Sequence, residues 1–362
     1  MTGRLHVPLA AALLFGAVET AAQPPGPPAT AGDLLVLDKD DRPVSGLTAA
    51  DFVVVGRGGA YRVQTAEERR AGEAPRRFVF VFNRRGAEAA QLNRALRGLE
   101  SFIEERVLDE DQSLFADLGE TLRIGRAFGP GKSVALAGLE TIPAIGYRSP
   151  AGAEDDAVVA ARMLEMVADR LVAVAGHKVV VLYSESLSSF ARASDQPGTV
   201  RTSNLPRIRP HARGEPDAGL AAIIERLHDA NATVHVLHLA GVQEFEERVL
   251  TAHRGELIVA GSHLRGSRFS STTREAPERA PSRHGGDDIL SGLAAATGGL
   301  YTARTTGFRR PLDRIEARHR VWYQLTVVGE TGAGERESGV LQVRVPGCRG
   351  CTVLPAPSPA PE

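Results

Sequence analysis

The chain has 362 residues, 43% of them hydrophobic and 24% charged, with a formal net charge of −1. That length allows one large or two ordinary globular domains with ample core. A charge so close to zero gives no overall case for nucleic-acid or membrane-surface binding, so any electrostatic recognition must be local.

In chain order, residues 1–22 carry one early cation, Arg4, an apolar centre over 7–18, and small residues at Thr20, Ala21 and Ala22. This is the pattern of a secretory signal, its apolar run of about a dozen residues being short of the roughly 20 that span a bilayer. The mature chain is expected to begin near Gln23, to be exported to the periplasm or beyond, and to carry no membrane span. Residues 23–32 are rich in proline and read as a tether.

Residues 33–75 change to short strands at 34–37, 52–55 and 61–63, with turns at 38–43 and 56–59 and a charged link at 65–75 that has no apolar period. Strands this short need partners. The expected partners lie in residues 321–347, where 322–328 and 340–345 flank a Gly/Glu-rich turn and carry a hairpin signal. Strands from both termini would thus make a small β-domain.

The main domain is expected over residues 76–320. Phe78, Val79, Phe80, Val81 and Phe82 form an unbroken apolar run, as in a strand buried on both faces of a parallel sheet. The run leads into Asn83, Arg84, Arg85 and Gly86, which places them in the crevice at the carboxyl end of the strand, where open α/β sheets put ligands. Beyond it, helical patterns at 89–107, 132–139, 155–174, 219–230, 289–296 and 311–320 alternate with strand patterns at 112–118, 121–128, 179–183, 233–239 and 300–303. The tight junction at Gly119-Glu120 implies one antiparallel strand at an edge. The predicted fold is a doubly wound, mostly parallel α/β sheet with that antiparallel edge strand and long loops over 187–215 and 241–286.

Several motifs compete for a chemical role. Gly129-Pro130-Gly131-Lys132-Ser133 keeps the Gly-Lys-Ser half of a phosphate loop, but Arg126 stands where the first glycine is needed, so a nucleotide site competes with a glycine turn. His235 and His238 are three apart on one strand and point to opposite faces, so they cannot share a metal. Ser184, Ser186 and Ser188 lack a Gly-x-Ser-x-Gly elbow. Cys348 and Cys351 open the Pro-rich tail, residues 348–362, as the only two cysteines. No histidine follows them for haem, and two thiols alone make no structural zinc site, which leaves a thiol-redox pair against a small disulfide, the reading an oxidising compartment favours. In the two long loops, Arg192, Arg201, Arg207, Arg209 and Arg213 face one acid, Asp195, while Arg265, Arg268, Arg274, Arg279 and Arg283 face Glu275 and Glu278. They would either gather as a cationic rim with Arg84 and Arg85 or be plain soluble loops.

Three stretches carry a family resemblance: Leu-Leu-Val-Leu-Asp-Lys-Asp-Asp-Arg-Pro-Val-Ser-Gly-Leu-Thr-Ala-Ala-Asp-Phe over 34–52, Gly-His-Lys-Val-Val-Val-Leu-Tyr-Ser-Glu-Ser over 176–186, and Leu-Ala-Ala-Ala-Thr-Gly-Gly-Leu-Tyr over 293–301. With the order of elements, they make the chain resemble a von Willebrand factor A (VWA) domain, and more narrowly the exported bacterial VWA-related proteins typified by an acidobacterial subgroup. The resemblance implies a Rossmann-like fold and a non-enzymatic, adhesion-type module that binds a protein partner. Its binding chemistry is a metal-ion-dependent adhesion site made of Asp-x-Ser-x-Ser, a Thr from a second loop and a later Asp, hard oxygens that suit Mg²⁺. At those places this chain has Asn83, Arg85 and Ala87, a second loop over 128–132 without Thr, and Glu185 followed by Ser186. The resemblance therefore implies a degenerate site with no metal or other cofactor. Asn83, Arg84, Arg85, Ala87, Glu185 and Ser186 are expected on a partner-binding rim, with the arginines as counter-charge for an acidic surface.

Overall fold

The structure is a computed structural model that describes residues 29–56, 59–150, 155–187, 218–239, 285–303, 305, 307–329 and 342–354. The expected signal, residues 23–28 of the expected tether, nearly all of both long loops and the end of the tail lie outside these residues; the last tether residues, 29–32, are corrected to strand, since the first strand begins at Ala29.

The chain enters through β1 (Ala29–Leu37), a 3-10 turn (Ala49–Asp51), β2 (Val53–Gly56) and β3 (Gly59–Arg70). The α/β part follows as β4 (Arg77–Asn83), α1 (Ala89–Arg106), β5 (Gln112–Leu118), β6 (Leu122–Ile124), β7 (Gly129–Pro130), α2 (Lys132–Glu140), α3 (Asp156–Val172), β8 (Lys178–Ser184), α4 (Ala218–Asp229), β9 (Ala232–His238), α5 (Gly285–Ala296), β10 (Tyr301–Thr302) and α6 (Arg309–Arg318). The chain then returns through β11 (Val321–Gly329), β12 (Gln342–Arg344) and β13 (Thr352–Leu354).

The first sheet runs β10-β9-β8-β4-β5-β6, with β7 paired to β5. β4 lies inside it, parallel to β5 on one side and β8 on the other. The alternation along β4 explains its composition. Phe78, Phe80 and Phe82 face a layer formed by Leu92, Leu99, Phe102 and Ile103 of α1 and Leu312 and Ile315 of α6. Val79 and Val81 face the opposite layer, formed by Ala160, Leu164 and Leu171 of α3, Ile223 and Leu227 of α4, and Leu290 and Leu293 of α5. Both faces are dry, which is why no polar residue interrupts the run. β6 pairs antiparallel with β5 at the edge.

The second sheet, in the order β12-β2-β3-β11-β1-β13, combines strands from both ends of the chain. Two expectations are corrected here. The charged stretch expected as a link over 65–75 is strand as far as residue 70: β3 continues to Arg70, paired with β11 from Tyr61↔Gly329 to Arg70↔Val321 with one bulge between Val63 and Thr65. Its period is hidden because ion pairs such as Arg69–Glu67 and Arg70–Glu68 take the place of apolar residues on this half-exposed strand. Nor do the two late strands form a hairpin. Both edges of β11 are taken by β1 and β3, so β12 pairs with β2 instead. The tail adds β13 beside β1, with the Cys348–Cys351 disulfide in the turn before it. Leu34 and Val36 of β1 point into the core of this sheet with Tyr323 and Leu325, while Leu35 and Leu37 pack with Trp322 on its other side.

Candidate functional site

The carboxyl end of β4 is where the sequence places its polar residues, and the structure brings most of them together there. Asn83, fully buried, donates from Nδ2 to Ser184 Oγ at 2.9 Å and to the Ser186 carbonyl at 3.0 Å, and its Oδ1 accepts from the Arg85 N–H at 3.1 Å. Ala87 is buried and closes the turn onto the Arg84 carbonyl. Glu185 is half-buried, and its main-chain carbonyl accepts from His238 Nε2 at 2.8 Å.

The two arginines do not do what was expected of them. Arg84 is 6% exposed and makes a bidentate pair with Asp117, Nε to Oδ1 at 2.6 Å and Nη2 to Oδ2 at 2.9 Å, while Nη1 donates to the Ile145 carbonyl at 2.5 Å. Arg85 is 5% exposed and donates to Asp156 at 2.6 Å, Ser149 Oγ at 3.0 Å and the Glu120 carbonyl at 3.1 Å, with its guanidinium 4.8 Å from the centre of the Tyr147 ring. Both cations are turned inward and spent on carboxylates of this chain. The expectation that they stand on the rim as counter-charge for a partner is corrected accordingly, because an arginine inside the protein must take its partner with it.

What they hold is a segment that sequence reasoning missed. Residues 145–149, between α2 and α3, lie across the end of the sheet: the Tyr147 N–H donates to the Arg84 carbonyl at 2.8 Å and the Gly86 N–H to the Tyr147 carbonyl at 2.9 Å. The approach is close enough to require glycine at 146, where a Cβ would fall 1.9 Å from the Ala87 carbonyl oxygen. Ser149 then donates to Asp156 Oδ1 at 2.6 Å. Burial works against the charge on Asp156, but hydrogen bonds from Ser149 and Arg85 outweigh it and hold its carboxyl below the ordinary range. The one sequence signal was Gly-Tyr-Arg-Ser over 146–149, leading to an acidic helix start.

The expected second loop is elsewhere. Gly129 and Pro130 pair with Ser113 and Gln112 at the start of β5, whereas Asn83 pairs with Leu118 at its end. Six residues of strand separate the two, about 20 Å. The stretch from Gly129 to Ser133 thus opens α2 at the amino ends of the strands, remote from the crevice, and serves neither as the metal loop nor as a phosphate loop facing it.

Among the described residues, the end of β4 lacks the Asp and the two Ser that the metal site implied by the resemblance needs. At the Asp position Asn83 presents N–H donors and its one oxygen is engaged by the Arg85 N–H, the two Ser positions are Arg85 and Ala87, and the oxygens left nearby are the Ser184 hydroxyl, itself bonded to Asn83, and the Glu185 carboxylate. Hard oxygens are what Mg²⁺ requires. Among the described residues no group of three or more His, Cys, Asp or Glu side chains is placed to hold a metal, and no helix is long and apolar enough to cross a membrane. His235 and His238 point apart, one to His319 and the other to the Glu185 carbonyl. The arginines expected on the two loops, Arg201, Arg207, Arg209, Arg213, Arg265 and Arg268 among them, lie outside the described residues.

No protein-family profile and no curated protein matches the chain. Among solved structures it is similar to BatB from Bacteroides thetaiotaomicron, at 11% identity and TM-score 0.36 over 67% of this chain and 96% of that one. A von Willebrand factor type A protein from Catenulispora acidiphila matches at 12% identity and TM-score 0.36, over 92% of this chain and 73% of that one. The vWF domain of the type V pili tip protein Mfa5 from Porphyromonas gingivalis matches at 9% identity and TM-score 0.30, over 46% and 81%. Likeness this distant says nothing of what the chain binds, which its own residues must decide.

Proposed function

We propose that the chain is an exported, non-enzymatic interaction module of VWA type that binds a protein partner at the carboxyl end of its parallel sheet without a divalent cation. The observation that carries this reading is the pair of buried guanidiniums, Arg84 on Asp117 and Arg85 on Asp156, in the crevice where a cation would need oxygens. Each is neutralised by its own carboxylate, so the pairs fill the place of a metal without adding net charge there, and they hold residues 145–149 in place. The enzyme alternatives gain no support, since the glycine-lysine loop opens at the far end of the sheet and the Cys-x-x-Cys lies in a turn before β13 rather than at a helix N-terminus, where a reactive thiol is activated.

The partner is proposed to be acidic. The two arginine-rich segments leave β8 and β9 at this same end, after Leu187 and Leu239; Arg148 is exposed in the 145–149 segment beside Ile145, itself 71% exposed, and Arg123 is exposed on β6, its Nε 3.9 Å from Asp117. With Arg84 and Arg85 spent internally, these outer arginines carry the recognition. Surface charge of this kind steers association and is screened within about 10 Å at 0.1 M salt. The test uses poly-glutamate as probe against the full chain by calorimetry in EDTA. Binding that weakens with salt and with Arg123→Glu/Arg148→Glu supports the reading. No binding, or binding that requires Mg²⁺, overturns it.

A further inference from the structure

Away from the carboxyl end, three imidazoles meet where the two sheets join. His177 precedes β8 and ties the sheets directly, its main-chain N–H donating to Asp33 Oδ2 of β1 at 2.8 Å, which sets its ring at the joint. Its ring stacks on His319 at 5.3 Å between centres, and His319 meets His235 of β9 edge-on at 5.0 Å. His235 is fully buried, and His319, in the link between α6 and β11, is 2% exposed. The hydrogen bonds fix their protonation. His235 Nδ1 accepts from the Leu300 N–H at 3.0 Å, so its proton sits on Nε2 and is donated to His319 Nε2 at 2.8 Å. His319 Nδ1 and His177 Nε2 have no hydrogen-bond partner among the described residues.

The surroundings do not accommodate an added proton. The void beside the stack, lined by Asp33, Arg76, Arg77, His177, His319 and Trp322, is about 20 Å³, room for a single water. The charges that face it are mostly cations: Arg318 from α6, Arg76 and Arg77 from the entry to β4, and Lys178 from β8. Among the described residues Asp33 of β1 is the nearby carboxylate without an arginine ion pair, because Asp111 and Glu316 are bound to Arg76 and Asp41 to Arg318 and Arg314. Burial first, and these cations and the neighbouring imidazoles after it, hold His235 and His319 well below the ordinary imidazole range; burial also lowers His177, against the pull of Asp33.

We propose that this stack is an acid-operated latch: neutral, it joins the six-stranded sheet to the parallel sheet, and on protonation the two sheets part while each keeps its own strand pairing. The sign follows from linkage. Below about pH 6.5 the parted form, with solvated imidazoles, binds protons that the joined form excludes, so acid favours parting. Uptake of up to three protons raises the opening constant by as much as about 1000-fold per pH unit.

Trp322, the only tryptophan, is 8% exposed and lines the void, so it reports on this joint alone. Its emission and the far-UV circular dichroism are to be followed on the full chain from about pH 8 to 4.5, the range that spans the ordinary imidazole titration. The expected result is a reversible red shift of the emission that takes up two or more protons while the far-UV signal holds, with a lower midpoint in His177→Gln and His319→Gln. An emission that stays constant, a transition with a single proton, or a shift that coincides with loss of the far-UV signal overturns the latch. If the variants do not fold, the proton count of the unaltered chain decides.

Discussion

Replacing Asp117 with Ala probes most sharply whether Arg84 belongs to the interior. Asp117 is 2% exposed and accepts two charge-assisted hydrogen bonds from a guanidinium that is itself 6% exposed. Each such bond contributes about 1.5–3 kcal/mol, and the guanidinium left behind would be a buried charge without its counter-ion, so the loss should come to about 3–5 kcal/mol. At about 1–2 °C per kcal/mol for a chain of this size, the melting temperature would fall by roughly 3–10 °C. Urea unfolding followed by far-UV circular dichroism, with the slope checked for constancy, measures it. The double variant Arg84→Leu/Asp117→Leu removes both charges together and should recover most of the loss, since exchanging a buried pair for apolar residues is close to neutral. A loss under about 1 kcal/mol for Asp117→Ala, the range of an exposed pair, would refute the burial argument and return Arg84 to the rim.

Two other changes follow from the same geometry. Asn83→Asp removes both N–H donors and turns a carboxylate oxygen toward the Ser186 carbonyl, so it should cost about 1–3 kcal/mol in urea unfolding and bring no Mg²⁺ affinity with it. Lys178, whose ammonium donates to the Val174 and Ala230 carbonyls, is pushed down to about 8 by burial first and then by Arg77. Between pH 8 and the ordinary lysine value of 10.5 the unfolded chain keeps a proton that the folded chain has lost, so stability should rise with pH in that window. Lys178→Met should abolish the rise, and an unchanged slope would show that another group is responsible.

The legibility of this chain in its sequence followed the range of the interactions. β4 announced itself because burial on both faces is written in five consecutive residues, and α1 because its apolar positions recur within one helix. The role of Arg84 and Arg85 was not readable. Their partners Asp117 and Asp156 lie 33 and 71 residues away, and nothing in the local pattern distinguishes a guanidinium facing inward from one facing out. Residues 145–149 were missed for a similar reason: a loop with no period of its own is positioned by the strand end it crosses. The Gly129–Lys132 stretch misled because sequence order gives the loop but not the end of the sheet on which it lies, and that is set by its pairing with the start of β5. The second half of β3 stayed hidden because ion pairs replaced the apolar alternation that marks a strand.

The central claim, that internal guanidinium pairs occupy the place of a divalent cation, is tested most directly by calorimetric titration of Mn²⁺ and Mg²⁺ into the full chain, alongside Glu185→Ala and Asn83→Ala. The account predicts no saturable binding that either substitution changes. A site of micromolar affinity that disappears on replacing Glu185 or Asn83 would contradict it.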